Sequence, residues 1–126
     1  MTVAVRYPDS ELWLTGALRN ALTGVYVDIR IPSRRRPLEV IVRRDGGPEG
    51  FVVADQRFGI RCFAASEKQV SDLADEASAR LRALAFTGPA RRVSTTSPFP
   101  VEDESGVPCR YFTAEIAVRG SPLAVP

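Results

Sequence analysis

Residues 57–70 read RFGIRCFAASEKQV, and the periodicity changes in the middle of that stretch. Up to Ala65 it is two: Phe58, Ile60, Cys62 and Ala64 fall on one side, Arg57, Arg61 and Phe63 on the other, as in a half-buried strand. From Ser66 it becomes helical. Ser66 with Gln69 three residues later is a capping-box pattern. Val70, Leu73, Ala74, Ala77, Leu81 and Leu84 then form one apolar stripe, with Lys68, Asp72, Asp75, Glu76, Arg80 and Arg82 largely on the solvated side. The expected helix runs from about Ser66 to Phe86, where Gly88-Pro89 stops it. At 1.5 Å per residue it would be roughly 30 Å long, enough to cross a small sheet.

Working toward the N-terminus, this strand is expected to start at Phe51 and to bend at Gly59. Asp45 to Gly50 is a turn. Leu38 to Arg44 is a strand, with Leu38, Val40 and Val42 facing one way and Glu39, Ile41 and Arg43 the other. Pro32 to Pro37 breaks the ladder, since proline cannot donate to it. Val25, Val27, Ile29 and Ile31 alternate with Tyr26, Asp28 and Arg30 in an earlier strand. Arg30 to Arg44 is therefore expected to project as a long hairpin. Before it, Pro8-Asp9-Ser10 starts a helix to about Leu22, whose buried face holds Leu14, Ala17, Leu18 and Ala21; Thr23-Gly24 ends it. Trp13 on this helix reads either as core or as an anchor for a neighbour.

Beyond the long helix, Ala90 to Ser97 is a weaker strand and Pro98 to Pro108 a polar loop. Arg110 to Arg119 is a strong strand, with Phe112, Ala114, Ile116 and Val118 opposite Tyr111, Thr113, Glu115 and Ala117. The tail, residues 120–126, has no periodic signal and is expected to be flexible. The order is α-β-β-β-α-β-β. It predicts an α+β fold: a mainly antiparallel sheet with two helices packed on one face, forming a single domain over residues 1–126.

Composition narrows the chemistry. With 44% hydrophobic and 25% charged residues the chain is of ordinary globular type. It has no histidine, which removes Ser-His-Asp and Cys-His catalysis and the histidine-containing zinc sites. Cys62 and Cys109 both fall in strand-like segments and read as small buried hydrophobes, not as a disulfide. No apolar run is long enough to span a bilayer, so no membrane is expected as a partner. Nothing at the N-terminus resembles a secretory signal, so the expected site of synthesis and retention is the cytoplasm. Net charge is +2, and the basic residues are nearly all arginine, a bias that base composition produces as readily as function.

Few residues carry candidate chemistry. Arg34-Arg35-Arg36 between Pro32 and Pro37, with Arg30 before and Arg43-Arg44 after, forms the one basic segment that stands out. No aromatics interleave with these arginines to stack bases, and no helix-turn-helix or zinc pattern is present. A protein interface therefore fits better than nucleic-acid recognition, with a solvated tip as the plainest reading. Glu102-Asp103-Glu104 is a short solvated run, and Glu67, Asp72, Asp75 and Glu76 read as a helix's polar face. Gly46-Gly47-Pro48-Glu49-Gly50 lacks the lysine and the strand-to-helix setting of a phosphate loop. No cofactor, metal or catalytic residue is expected.

Several phrases in order resemble one family. These are the Pro8-Asp9 helix start; the Val25 to Ile31 strand with its Pro32 to Pro37 exit; VIVRRDGG at residues 40–47; Phe63-Ala64-Ala65-Ser66-Glu67 with the long helix after it; and the closing phrase from Pro108 through Tyr111 to Gly120. Together they resemble the tail terminator proteins of phages with long, non-contractile tails, especially those of GC-rich actinobacterial hosts. The resemblance spans most of the chain and contains no catalytic signature. It implies a structural virion protein at the head-proximal end of the tail, assembled in the host cytoplasm. That protein would form a ring, in that family a hexamer, which caps the tail tube, stops its polymerisation and offers the head a docking surface. Its partners would be copies of itself, the tail tube protein and the head–tail connector, with duplex DNA passing through the lumen without specific binding. The interface is expected at Arg30, Arg34, Arg35, Arg36, Arg43 and Arg44, with Pro98 to Pro108 second. The alternatives are another neck or head-completion protein, a small carboxylate enzyme and a nucleic-acid-binding domain.

Overall fold

The computed structural model describes residues 4–50 and 53–123. The elements are β1 (Val5–Arg6), α1 (Ser10–Ala21), β2 (Tyr26–Asp28), β3 (Leu38–Arg44), β4 (Val53–Ala64), α2 (Glu67–Arg82), β5 (Ala90–Thr95), β6 (Phe99–Val101), β7 (Cys109–Arg119) and β8 (Ser121–Pro122). The principal sheet runs β2-β3-β4-β7-β5, with β6 pairing β7 beyond the end of β5. The fold is α+β, as the periodicity predicts. Phe51 and Val52, assigned to a strand above, lie outside the described residues, as do residues 124–126 of the tail.

Both helices begin where their capping residues sit. The Asp9 carboxylate accepts from the Leu12 amide at 3.2 Å, and the Ser66 hydroxyl from the Gln69 amide at 3.2 Å. Leu14 and Leu18 of α1 and Val70, Leu73, Ala74, Ala77 and Leu81 of α2 meet Val40, Val42, Phe58, Ile60, Phe112, Ala114, Ile116 and Val118 in one buried cluster. Trp13 packs at its rim, where a Cβ on Gly88 would stand 2.5 Å from the indole nitrogen. Trp13 is thus half-buried against the core.

The sheet departs from the sequence reading in four places. The strand expected over residues 25–31 stops at Asp28, whose carboxylate accepts from the next amide, that of Ile29, at 2.7 Å and diverts the backbone. That strand then pairs in parallel with β3, Tyr26 opposite Glu39, so Arg30 to Arg44 is not a projecting hairpin. Residues 29–37 instead carry the chain back to the starting end of the same edge. The ladder passes Gly59 without a register shift. Inside the predicted loop 98–108, Phe99–Val101 pairs with β7. The tail is tied down as far as Leu123: Val5 and Arg6 pair with Pro122 and Ser121, and the Leu123 amide donates to the Ala4 carbonyl.

Candidate interaction surface

With both helices on one side, the other side of the sheet lacks a helical cover, and the register sets its side chains in cross-strand rows. The first is Glu39, Phe63, Cys109 and Val101; the second Ile41, Arg61, Tyr111 and Phe99; the third Arg43, Gly59 and Thr113. The fourth is Arg57, Glu115 and Ser94, the fifth Asp55, Ala117 and Arg92, and the last Val53 and Arg119. Gly59 is needed by its row: a Cβ there would stand 2.8 Å from the Tyr111 hydroxyl oxygen. Tyr111 in turn packs edge-to-face on Phe99, centroids 5.7 Å apart.

The first row and Ile41 of the second are roofed. Ile41, Phe63 and Cys109 form a small second core closed by Tyr26, Val101 and Val107. Over it lies the arginine segment, fixed by one side chain. Arg35 Nε reaches Glu39 Oε1 at 3.0 Å and Oε2 at 3.2 Å, and its terminal nitrogen Nη2 reaches Oε1 at 2.8 Å. The Arg36 amide donates to Glu39 Oε2 at 2.7 Å. Glu39 is 0% exposed, whereas the Arg35 side chain keeps 33% exposure and lies over the Phe63 ring, 4.8 Å from its centroid. The hydrogen bond to Glu39 raises the pKa of the Arg35 guanidinium further above its ordinary value. On the neighbouring loop Asp103 accepts from the Ser105 hydroxyl at 2.5 Å and the Ser105 amide at 3.0 Å, and pairs with Arg61 at 3.5 Å. These bonds, the hydroxyl's first, hold the Asp103 carboxyl below its usual range.

The six arginines expected to form one interface therefore separate. Arg30, Arg34 and Arg36 are exposed on the connection, and Arg43 is exposed on the sheet row beside Gly59. No carboxylate lies within ion-pair distance of these four among the described residues. Arg35 is turned inward as a latch. Arg44 alternates to the helix side of β3, where its amide donates to Glu11 at 2.6 Å and its side chain pairs with Glu49 at 3.3 Å. Glu39, which organises the segment, was not singled out from sequence. Its one available signal was a carboxylate on the apolar-flanked side of a strand, four residues after an arginine.

The cysteines are buried free thiols on opposite sheet faces, Cys62 toward the helices and Cys109 toward the small second core. Burial, the larger cause, and the charge of Asp103 raise the Cys109 thiol to about 11, against the opposing pull of Arg61 and Arg35. Cys62 is pushed up further by burial. Among the described residues no three of the aspartate, glutamate and cysteine side chains gather where a metal ion could sit. Among the described residues no helix is long and apolar enough to cross a membrane. No protein-family model matches the chain, and no curated protein is significantly similar to it.

Proposed function

We propose that this chain is a structural virion protein: a ring-forming tail terminator that caps a phage tail tube, ends its growth and provides the surface for head joining. The observation that carries the reading is the latched connection. A buried carboxylate holds residues 29–37 in one shape while Arg30, Arg34 and Arg36 face outward. Buried charge pairs contribute little net stability over apolar packing and are best attested as devices that fix one arrangement. Here the arrangement fixed is an outward arginine surface, and arginine is favoured where polypeptides meet. The order of sequence phrases resembling the terminator family supplies the identity of the partners.

Ring geometry is compatible with the size. A domain of 126 residues has a radius of gyration of about 14 Å, equivalent to a sphere of about 18 Å radius. Six such spheres in a closed ring leave a hole roughly 36 Å across, wide enough for duplex DNA. A head-to-tail ring uses two different patches per subunit, and closure prevents an open filament.

The test adds the purified chain to polymerising tail tube subunits and measures tube lengths by electron microscopy. Termination predicts short tubes bearing a ring at one end. The variant Arg34→Ser/Arg36→Ser should melt within about 0.5 kcal/mol of the parent, as surface changes usually do, yet cap less well. Tubes of unchanged length, with no chain bound at their ends, would refute the reading. Binding to the connector but not to tubes would favour another neck protein.

A further inference from the structure

The two ends of the principal sheet are treated differently. At the β2 end the outer carbonyl of Val27 is taken by Arg19, through Nε at 3.3 Å and a terminal nitrogen at 2.9 Å. The next amide is taken by Asp28, so this edge is sealed against further strands. At the other end, β6 is protected by Pro98 and Pro100. β5 between them is not.

The Thr96 amide donates to the Thr113 carbonyl at 2.9 Å, which fixes the alternation of the ladder. Ser94 and Arg92 turn their backbone groups toward β7, while Val93 and Thr95 turn theirs outward, where β5 has no further strand beside it among the described residues. Phe86 sits at the head of this edge in a left-handed conformation, φ 63°, the residue 75% exposed. Its amide donates to the Arg91 carbonyl, so the open stretch begins just after Arg91. Asp55, Phe86, Arg92, Val93, Glu115 and Ala117 line a hollow of about 330 Å3 on the open sheet face next to the edge.

Charge selects the occupant. Arg91 and Arg92 lie on β5, and Arg82, from the last turn of α2, donates to the Thr95 hydroxyl at 2.8 Å. Of the two carboxylates in the hollow, Glu115 pairs with Arg57 at 3.4 Å and Asp55 with Arg92 at 4.0 Å, whereas Arg82 and Arg91 have no carboxylate partner among the described residues and leave the edge net basic. Outward N–H and C=O groups in strand spacing match a peptide backbone and not a nucleic acid.

We propose that the outer edge of β5 is a docking site for an extended, acidic segment of another polypeptide, which adds to the sheet as a further strand. Backbone groups at Val93 and Thr95 pair with it, the arginines meet its carboxylates, and Phe86 covers one of its apolar side chains. This site is separate from the arginine connection and does not depend on the ring reading.

The test uses the isotope-labelled full chain and a blocked seven-residue peptide of alternating valine and threonine with a glutamate at each end. The expected result is that the Val93 and Thr95 amides shift and gain protection from hydrogen exchange. The charge-reversed variant Arg91→Glu/Arg92→Glu should weaken binding about tenfold. Val93→Pro, which removes an outward N–H and no ladder bond, should abolish it. If that variant misfolds, a peptide N-methylated at the amides facing β5 makes the same test on the native chain. The proposal is overturned if β5 amides are unmoved at millimolar peptide, if the shifts fall on another surface, or if the N-methylated or a lysine-ended peptide binds as tightly.

Discussion

Replacing Arg35 with alanine should cost more than replacing its partner, although the two share the same contacts. Glu39 is 0% exposed, so Arg35→Ala leaves a carboxylate out of water with only the Arg36 amide at 2.7 Å to hold it. Breaking a buried pair in this way costs about 3–5 kcal/mol, and the remaining amide bond lowers the expectation to about 3. Glu39→Ala strands nothing comparable: the Arg35 side chain, already 33% exposed, turns to water. That variant loses the bonds and some packing, about 1–2 kcal/mol. The double variant should cost less than the sum by about 1 kcal/mol or more, because it removes the stranded charge. The assay is urea unfolding of all four proteins, supported by melting, where about 3 kcal/mol corresponds to roughly 10 °C at this size.

If Arg35→Ala is neutral at pH 7 while Glu39→Ala is costly, the latch reasoning is wrong. The serine triple replacement of Arg34, Arg35 and Arg36 should lose stability as well, and that loss comes from Arg35.

Gln56 is 0% exposed on the helix face of β4, and neither amide atom has a partner among the described residues. Gln56→Met should therefore stabilise by about 1–2 kcal/mol in urea unfolding, and destabilisation would mean the amide is satisfied. Gly47→Ala places a methyl 2.0 Å from the Asp55 carbonyl oxygen at φ 106° and should be severely destabilising, whereas Gly59→Ala meets only the movable Tyr111 ring. The milder loss, about 1–2 kcal/mol, should be seen in Gly59→Ala by thermal melting. With its thiol raised to about 11, Cys109 should resist a disulfide reagent at pH 8 in the native chain and react promptly, with Cys62, after unfolding. Asp103→Asn should lower stability near neutral pH. The depressed carboxyl of Asp103 contributes above its unfolded value of about 3.9 and loses that contribution as pH falls through its lower folded value, so the two acid-unfolding curves should converge there.

Element types were legible where a periodic pattern coincided with a local stop signal. Asp9 and Ser66 announced their helices because capping involves only residues a few positions away. The buried faces of β3, β4 and β7 followed from alternation, since one side of each meets the helices. The short pairs β1–β8 and β6–β7 went unread because two or three residues carry no period, and their partners lie far along the chain.

Sequence by itself determined the class of fold, the two capped helices and the side each long strand buries, because these depend on spacing within one segment. It also marked the arginine run as unusual. Only the tertiary structure decided what that run does: a parallel pairing of β2 with β3 brings Glu39 under Arg35, turns Arg44 to the other face and leaves Arg30, Arg34, Arg36 and Arg43 outside. The open edge at β5 likewise belongs to the sheet's strand order, which no segment encodes alone. Register, parallel or antiparallel direction and the satisfaction of a buried charge are relations between distant residues, fixed by packing energy rather than by local pattern.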